Sequence, residues 1–308
     1  MKFDEYLRKC RENSSLTQEQ LVHALYSHDI GHFETLKTST LSKWERGVTK
    51  PKAAKQLSII RYFQHLTGKP LPCFENYTAK DAEEQICRVG MQNLLGNSKK
   101  LILDFPSSVI CTDDLMIYQL RNTEMLDRII DINVGLDKDF NKDLTQLESE
   151  HFKEWALHPS NSFYICLYKE QFFGLLFTLK LKPEPVEKIM SMEIDERDLS
   201  VEDFATFYET GSSYMLSFFA LNEKAISLLF IRYFAHLIAN QDVIEEVGVA
   251  TMMEDTKKLI RNMNLYHYDS KAMTDGLVLQ TYRETLFNFL ASEYAVKMLL
   301  SKQECPEE

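Results

Sequence analysis

The chain has 308 residues, of which 44% are hydrophobic, and carries 35 Lys/Arg against 46 Asp/Glu for a formal net charge of -11. That length suits two domains with a buried core in each, and the acidic balance excludes a general nucleic-acid coat. The apolar run Ala225 to Ala239 comes nearest to a membrane span and is interrupted by Arg232 and His236, the N-terminal residues lack the apolar core of a signal peptide, and the six cysteines show neither metal spacing nor a dense disulfide pattern, so a reducing cytoplasm is expected, with no membrane, no metal and no cofactor.

The charge is unevenly spread. Residues 1–70 hold twelve Lys/Arg and seven Asp/Glu, and from Lys37 to Arg61 seven basic residues meet one acid, Glu45. A basic module on an acidic body is expected where one end of a protein touches phosphate. The first helix is predicted over Phe3 to Asn13, with Phe3, Tyr6, Leu7 and Cys10 on one face. Thr17 and Gln20 have the spacing of a capping box, opening a second helix that turns Leu21, Val22, Ala24 and Leu25 inward. After Tyr26 to Lys37, a third helix starts near Ser39. Leu41 and Trp44 point to the core, while Lys37, Thr38, Ser39, Thr40, Ser42 and Lys43 face outward. Gly47 stops it. Pro51 opens a further helix whose Leu57, Ile59, Ile60 and Phe63 close a small core.

The motifs Leu16-Thr17-Gln18-Glu19-Gln20-Leu21 and Leu41-Ser42-Lys43-Trp44-Glu45-Arg46-Gly47, followed by Pro51, resemble the Cro/repressor (XRE) family of helix-turn-helix DNA-binding domains, over about Phe3 to Leu66. The resemblance implies double-stranded DNA as partner. It implies base or backbone contacts from Thr38, Ser39, Thr40 and Lys43, with Lys37 and Ser42 beside them, and a phosphate contact from Gln18. It further implies that Glu45 pairs with Arg11 as internal support beside Trp44. From Gln18 to Trp44 the chain is about nine residues longer than that family's compact pattern, whose turn takes about three or four residues. The extra stretch either braces DNA backbone or extends the second helix.

Gly68-Lys69-Pro70-Leu71-Pro72 is a stiff break and the expected boundary of the first domain, 1–70. Thr78 caps an expected connector helix, Ala79 to Leu95, within a linker spanning 71–105; it serves either a dimer or mere packing. The third segment, 106–308, mixes strands and helices. Strands are expected at Leu115 to Leu120, at Ser162 to Tyr168 with Phe172 to Leu181 as a hairpin, at Tyr214 to Leu221, Val243 to Thr251 and Leu277 to Tyr282. Helices are expected after Thr123, from Asn222 through Ile238, over Met252 to Met263 and over Leu286 to Leu300.

This order of elements, with Asp113-Asp114-Leu115, Glu170-Gln171-Phe172-Phe173-Gly174 and Leu259 to Leu265, is similar to the GNAT-type N-acyltransferases over about residues 108–285. The expected fold is thus multidomain: an N-terminal all-α helix-turn-helix bundle and a C-terminal α/β GNAT-like mixed-sheet domain. The resemblance implies a pyrophosphate loop of the form Gln/Arg-x-x-Gly-x-Gly/Ala. The matching stretch, Leu221-Asn222-Glu223-Lys224-Ala225-Ile226-Ser227, has no glycine, and Glu223 adds negative charge. The family's general-acid tyrosine falls on Ile260, which cannot donate a proton. No catalytic residue is therefore assigned.

Residues 151–240 contain seventeen aromatics. A large core is the plainer reading for each; a cleft lined by Tyr214 and Phe218 and holding a small apolar ligand is the sharper one. His28 and His32, four apart, read as solvated loop residues. Together these features read as a cytoplasmic, homodimeric, sequence-specific transcriptional regulator whose second domain senses a ligand or mediates dimerisation. The alternative is an acyl-CoA-dependent N-acyltransferase with an accessory DNA-binding module.

Overall fold

A computed structural model describes residues 1–86, 114–121, 126–131, 149–252, 254–273 and 276–300. The chain divides into two compact units, one gathering Met1–Leu94 with Phe234–Asp242 and Leu286–Glu308, the other Leu95–Tyr233 with Val243–Thr285. Each is described by itself.

The first unit opens with α1 (Phe3–Asn13), α2 (Gln18–His28), α3 (Ile30–Phe33), α4 (Thr38–Glu45), α5 (Ala53–Thr67) and α6 (Ala79–Gln85). Amphipathic spacing explains the packing. Phe3, Tyr6, Leu7 and Cys10 of α1, Leu21 and Leu25 of α2, Leu41 and Trp44 of α4, and Ile59, Ile60 and Phe63 of α5 are all buried. The capping box at Thr17 forms, with Thr17 Oγ1 accepting from the Gln20 N–H at 3.2 Å and Gln20 Oε1 from the Thr17 N–H at 2.8 Å. α5 ends on left-handed Gly68. The Gly68–Pro72 stretch lies inside this unit, where Gln64 Nε2 donates to the Pro70 carbonyl at 2.6 Å.

The long stretch after α2 neither extends that helix nor hangs free. Asp29 breaks α2 with non-helical backbone angles (φ -151°, ψ 84°), then caps the single turn α3 by accepting from the His32 N–H at 3.1 Å. Phe33 anchors the turn in the core, and Ser58 of α5 donates to Asp29 Oδ2 at 2.7 Å. The connector helix expected to run to Leu95 instead ends at Gln85, with Ile86 extended and buried; beyond that the expected element lies outside the described residues. Its end is tied down by Gln85 Nε2, which donates to the Met1 and Leu299 carbonyls at 2.8 and 2.6 Å.

The second unit is built on one mixed seven-stranded sheet of order β1-β2-β3-β4-β5-β7-β6: β1 (Leu115–Gln119), β2 (Ser162–Tyr168), β3 (Gln171–Leu181), β4 (Gly211–Ala220), β5 (Ile244–Thr251), β6 (Tyr266–Ala272) and β7 (Val278–Thr285). Helices α7 (Ser149–Leu157), α8 (Pro183–Met190), α9 (Glu223–Ala239, counted with the first unit from Phe234 on) and α10 (Glu254–Asn262) alternate with the strands; residues 126–131 are helical too, while the expected cap at Thr123 lies outside the described residues. The α/β mixed-sheet expectation therefore holds. The β2–β3 hairpin turns on Lys169 and Glu170, both at positive φ (47° and 66°) as a two-residue turn requires, so β3 starts at Gln171. All pairs are antiparallel except β4 with β5, which the helix α9 makes possible by carrying the chain across. The aromatics of residues 151–240 mostly fill the core: Phe152, Trp155, Phe163, Phe177 and Tyr214 are buried together.

Two elements escape sequence patterning. β6 is exposed along its whole length, its Tyr266 and Tyr268 set among polar residues, and is an edge strand paired, among the described residues, to β7 alone. α8 begins with Pro183, tolerated because a first-turn N–H has no intrahelical partner to lose. The last expected helix is two, α11 (Leu286–Leu290) and α12 (Glu293–Leu300), because Ser292 Oγ accepts from the Ala295 N–H at 3.2 Å and starts a new turn. Both belong to the first unit, where Gln64 Nε2 reaches the Phe287 carbonyl at 2.8 Å and Phe289 stacks on Phe234 with ring centroids 5.1 Å apart.

Gly211 sits where strands approach closely: a Cβ there would lie 2.6 Å from the Leu181 carbonyl oxygen and 2.9 Å from the Ala205 Cβ. Gly211→Ala is expected to cost about 1–3 kcal/mol of stability by overpacking. Urea unfolding followed by circular dichroism checks this; a midpoint equal to that of the unsubstituted chain would show that the strands move apart freely.

Candidate functional site

The first candidate is the outward face of α4. What holds it is a buried carboxylate. Glu45, 4% exposed, accepts from Arg11 Nε on Oε1 at 2.6 Å, and from Arg11 Nη2 and Gln18 Nε2 on Oε2 at 3.2 and 2.7 Å. Arg11 Nη1 also donates to the Leu16 carbonyl at 2.9 Å. One acid thus ties α1, the α1–α2 turn and α2 to the end of α4. The hydrogen bond to Glu45 pushes the guanidinium pKa above its ordinary value, so Arg11 stays charged. Immediately after α4, Gly47 at φ +67° turns the chain; a Cβ there would sit 2.8 Å from Asp4 Oδ2.

On the other side of α4, Lys37, Thr38, Ser39 and Lys43 are exposed and Thr40 and Ser42 half-buried. α4 begins at Thr38, one residue before Ser39, and no side chain caps its first turn. Gln18 is half-buried and spends one amide hydrogen on Glu45; the amide carries a second, which is what remains for a phosphate. Sequence reasoning passed over Arg46, which is exposed and donates from Nε to the Ser42 carbonyl at 3.2 Å, laying its guanidinium along the last turn of α4. Its place within the basic run, three residues after Lys43, was the available signal.

The second candidate is the split in the sheet. β4 and β5 pair from Gly211↔Ile244 to Met215↔Val249 and no further, although β4 runs on to Ala220 and β5 to Thr251. Leu216, Ser217, Phe218 and Phe219 are half-buried there, with Phe218 5.0 Å from Phe230 by ring centroid. Tyr214, expected beside Phe218 in a cleft, is 0% exposed and lies in the core instead, its hydroxyl donating to the Glu196 carboxylate. Burial pushes its pKa well up, so it stays neutral. Phe218 and Tyr214 therefore do not share an open surface: Tyr214 packs in the core with Leu216 and Phe219 against it, Phe218 meets Phe230, and a β-bulge between β3 and β4 separates the two positions.

The helix start after β4 is closed. Asn222, 0% exposed, accepts from the Ala225 N–H on its side-chain Oδ1 at 2.7 Å and from the Ile226 N–H on its carbonyl at 3.0 Å, and Glu223 stands exposed beside it. The residues do not fit a pyrophosphate: one of the N–H groups that would cradle it is already occupied. Ile260 is 1% exposed in the core. Lys180 is likewise buried, its ammonium donating to the Thr206 and Phe207 carbonyls at 3.0 and 3.1 Å, and desolvation lowers its pKa. His32 pairs with Asp29 at 2.7 Å, and no group of three metal-ligating side chains occurs among the described residues. No helix among them is long and apolar enough to cross a membrane.

No protein-family model matches the chain, and no curated protein matches it. Among solved structures the chain is similar to an N-acetyltransferase from Staphylococcus aureus, at 15% identity over 56% of this chain and 98% of that one, TM-score 0.38. It is similar to FeeM, an N-acyl amino acid synthase from uncultured soil microbes, at 8% identity over 58% and 94%, TM-score 0.42. It is also similar to a GNAT-family acetyltransferase from Streptococcus pneumoniae, at 10% identity over 56% and 98%, TM-score 0.37. At such identities and scores the likeness says nothing of what this chain acts on.

Glu45→Ala is expected to destabilise the chain by about 2–4 kcal/mol, since it takes from a largely buried guanidinium its buried carboxylate and leaves it the Leu16 carbonyl and the exposed Glu12 at 3.5 Å. The Arg11→Met, Glu45→Met double variant should lose much less. Equal losses for the two, read by denaturant unfolding, would show that the ion pair is not what the first unit leans on.

Proposed function

We propose that the chain is a sequence-specific DNA-binding transcriptional regulator in which α4 enters the major groove. The observation that carries this reading is the tie at Glu45. A helix that reads base edges must be held rigidly from behind while its other face stays free; α4 has Arg11 and Gln18 behind it, and Lys37, Thr38, Ser39 and Lys43 in front. Three further features support it. The first turn of α4 has no side-chain cap, which leaves N–H groups where a phosphate is favoured. Arg46, Lys50, Lys52 and Lys55 extend the positive surface, and the rest of the chain is acidic, which confines attraction for DNA to this end. A single module of this size makes few base contacts, so the reading includes a symmetric homodimer on half-sites about one helical turn apart. The second unit then serves self-association or a small apolar ligand at the β4–β5 split, beside Phe218.

Selection from random duplexes should return a two-fold site. Lys43→Ala and Thr40→Ala should each weaken binding to it by about 1–3 kcal/mol, whereas Gln18→Ala should weaken all sequences alike. A folded Lys43→Ala, Thr40→Ala double variant with unchanged affinity, or a footprint of one half-site from a monomer, would sink this assignment.

The second reading is acyl transfer from an acyl-coenzyme A. What favours it is the parting of β4 from β5, which opens a slot between parallel strands. Against it stand the Asn222 cap on the following helix and the apolar Ile260. The expected result is no thiol release from acetyl-coenzyme A over a panel of amines. Saturable turnover would promote the transferase reading to first place.

A further inference from the structure

We propose that Cys10 and Cys73 form a peroxide-sensitive dithiol that closes reversibly into a disulfide, clamping α1 to the segment that follows α5. Both thiols are free, and their sulfurs lie 3.0 Å apart although 63 residues separate them in sequence. A disulfide needs about 2.05 Å, so bonding requires a closure of about 1 Å. The two sulfurs are unlike in a way that assigns them roles. Cys10 is 2% exposed on the inward face of α1, beside Tyr6. Cys73 is half-buried and reachable from solvent. Asn13 Nδ2 points at the Cys73 sulfur from 3.6 Å. The hydrogen bond from Cys10 lowers the Cys73 pKa, while burial raises that of Cys10. Cys73 is the attacking thiolate and Cys10 the resolving thiol.

The backbone points the same way. Cys73 sits at φ +68°, a left-handed conformation that a residue with a side chain adopts at a cost. It is held there between buried Pro72 and buried Phe74, whose N–H donates to the Leu71 carbonyl at 3.3 Å. Such a conformation persists where the surroundings impose it, and here it delivers the Cys73 sulfur to Cys10. Among the described residues no group of three or more His, Cys, Asp or Glu side chains that could hold a metal ion occurs.

The chemistry closes with a hydroperoxide as oxidant. The Cys73 thiolate attacks one peroxide oxygen and the O–O bond breaks; the departing hydroxide takes a proton and leaves as water, and Cys73 becomes a sulfenic acid. Cys10 sulfur then attacks Cys73 sulfur, the S–O bond breaks, and the departing hydroxide takes the Cys10 proton as a second water. The peroxide gains the two electrons that the two thiols lose. Reversal by a dithiol suits a reducing compartment, where disulfides are transient and sensory rather than structural.

The test uses the reduced full-length chain and hydrogen peroxide. Intact mass should fall by two hydrogens, peptide mapping should find Cys10 joined to Cys73, and dithiothreitol should restore both. The oxidised chain should melt at a higher temperature, because the crosslink limits the unfolded chain. Cys10→Ser should stop at a Cys73 sulfenic acid that dimedone traps, and Cys73→Ser should leave Cys10 unmodified at the same dose. Two thiols that stay open to maleimide after peroxide, or a crosslink joining either one to another cysteine, would overturn the proposal. The mass measurement on the unsubstituted chain decides this even if a variant fails to fold.

Discussion

A carboxylate taken out of water must be met by hydrogen-bond donors, and at Glu45 three of them arrive from two other helices. Arg11 supplies two N–H groups and Gln18 one, all converging on an acid at the end of α4. Burying such a pair is not cheap, and apolar residues of similar volume often hold a core as well. What ions add is direction. The guanidinium fork fixes the angle at which α1 meets α4, and the Leu16 carbonyl fixes the guanidinium in turn. The placement of every outward residue of α4 follows from that tie.

The stretch between α2 and α4 shows how local chemistry absorbs an insertion. Asp29 does three jobs: it ends one helix, caps the next turn and accepts from Ser58 on α5. The hydrogen bond from Ser58 holds its carboxyl below the usual range, so these bonds persist well into mild acid. Phe33 then anchors the turn in the core. Insertions are tolerated where they bring their own cap and their own anchor.

In the second unit the constraint is steric. Gly174 and Gly211 let neighbouring backbone come within the volume of a methyl group, and the strands of the hairpin pack against β4 on those terms. The parallel pair beyond it is short. Pairing stops at Met215 and Val249, and half-buried Phe218 and Phe219 follow. Phe219 stacks on Phe172 and Phe218 leans on Phe230, so the unpaired end of β4 is covered on its faces and open only along its edge.

The amino-acid sequence by itself determined the elements whose signals are local. Thr17 with Gln20, the apolar periodicity of α1 and α5, the Gly47 and Gly68 stops, the β2–β3 hairpin and the strand before Asn222 were all legible, because caps, turns and periodic faces act within a few residues of where they are written. The outward set on α4 was legible for the same reason: Leu41 and Trp44 fix one face, so the others must lie opposite. Only tertiary structure decided the rest. It placed Tyr214 in the core cluster and Phe218 against Phe230, since a bulge in the β3–β4 register lies between them. It joined Cys10 to Cys73 and returned α11 and α12 to the first unit, contacts between residues dozens to hundreds of positions apart. It added β6, where Tyr266 and Tyr268 stand exposed among His, Asp, Ser and Lys and neither face of the strand is buried, so no core-facing alternation marks it. Long-range pairing leaves no periodic trace in a single sequence, and that is where sequence reading stopped.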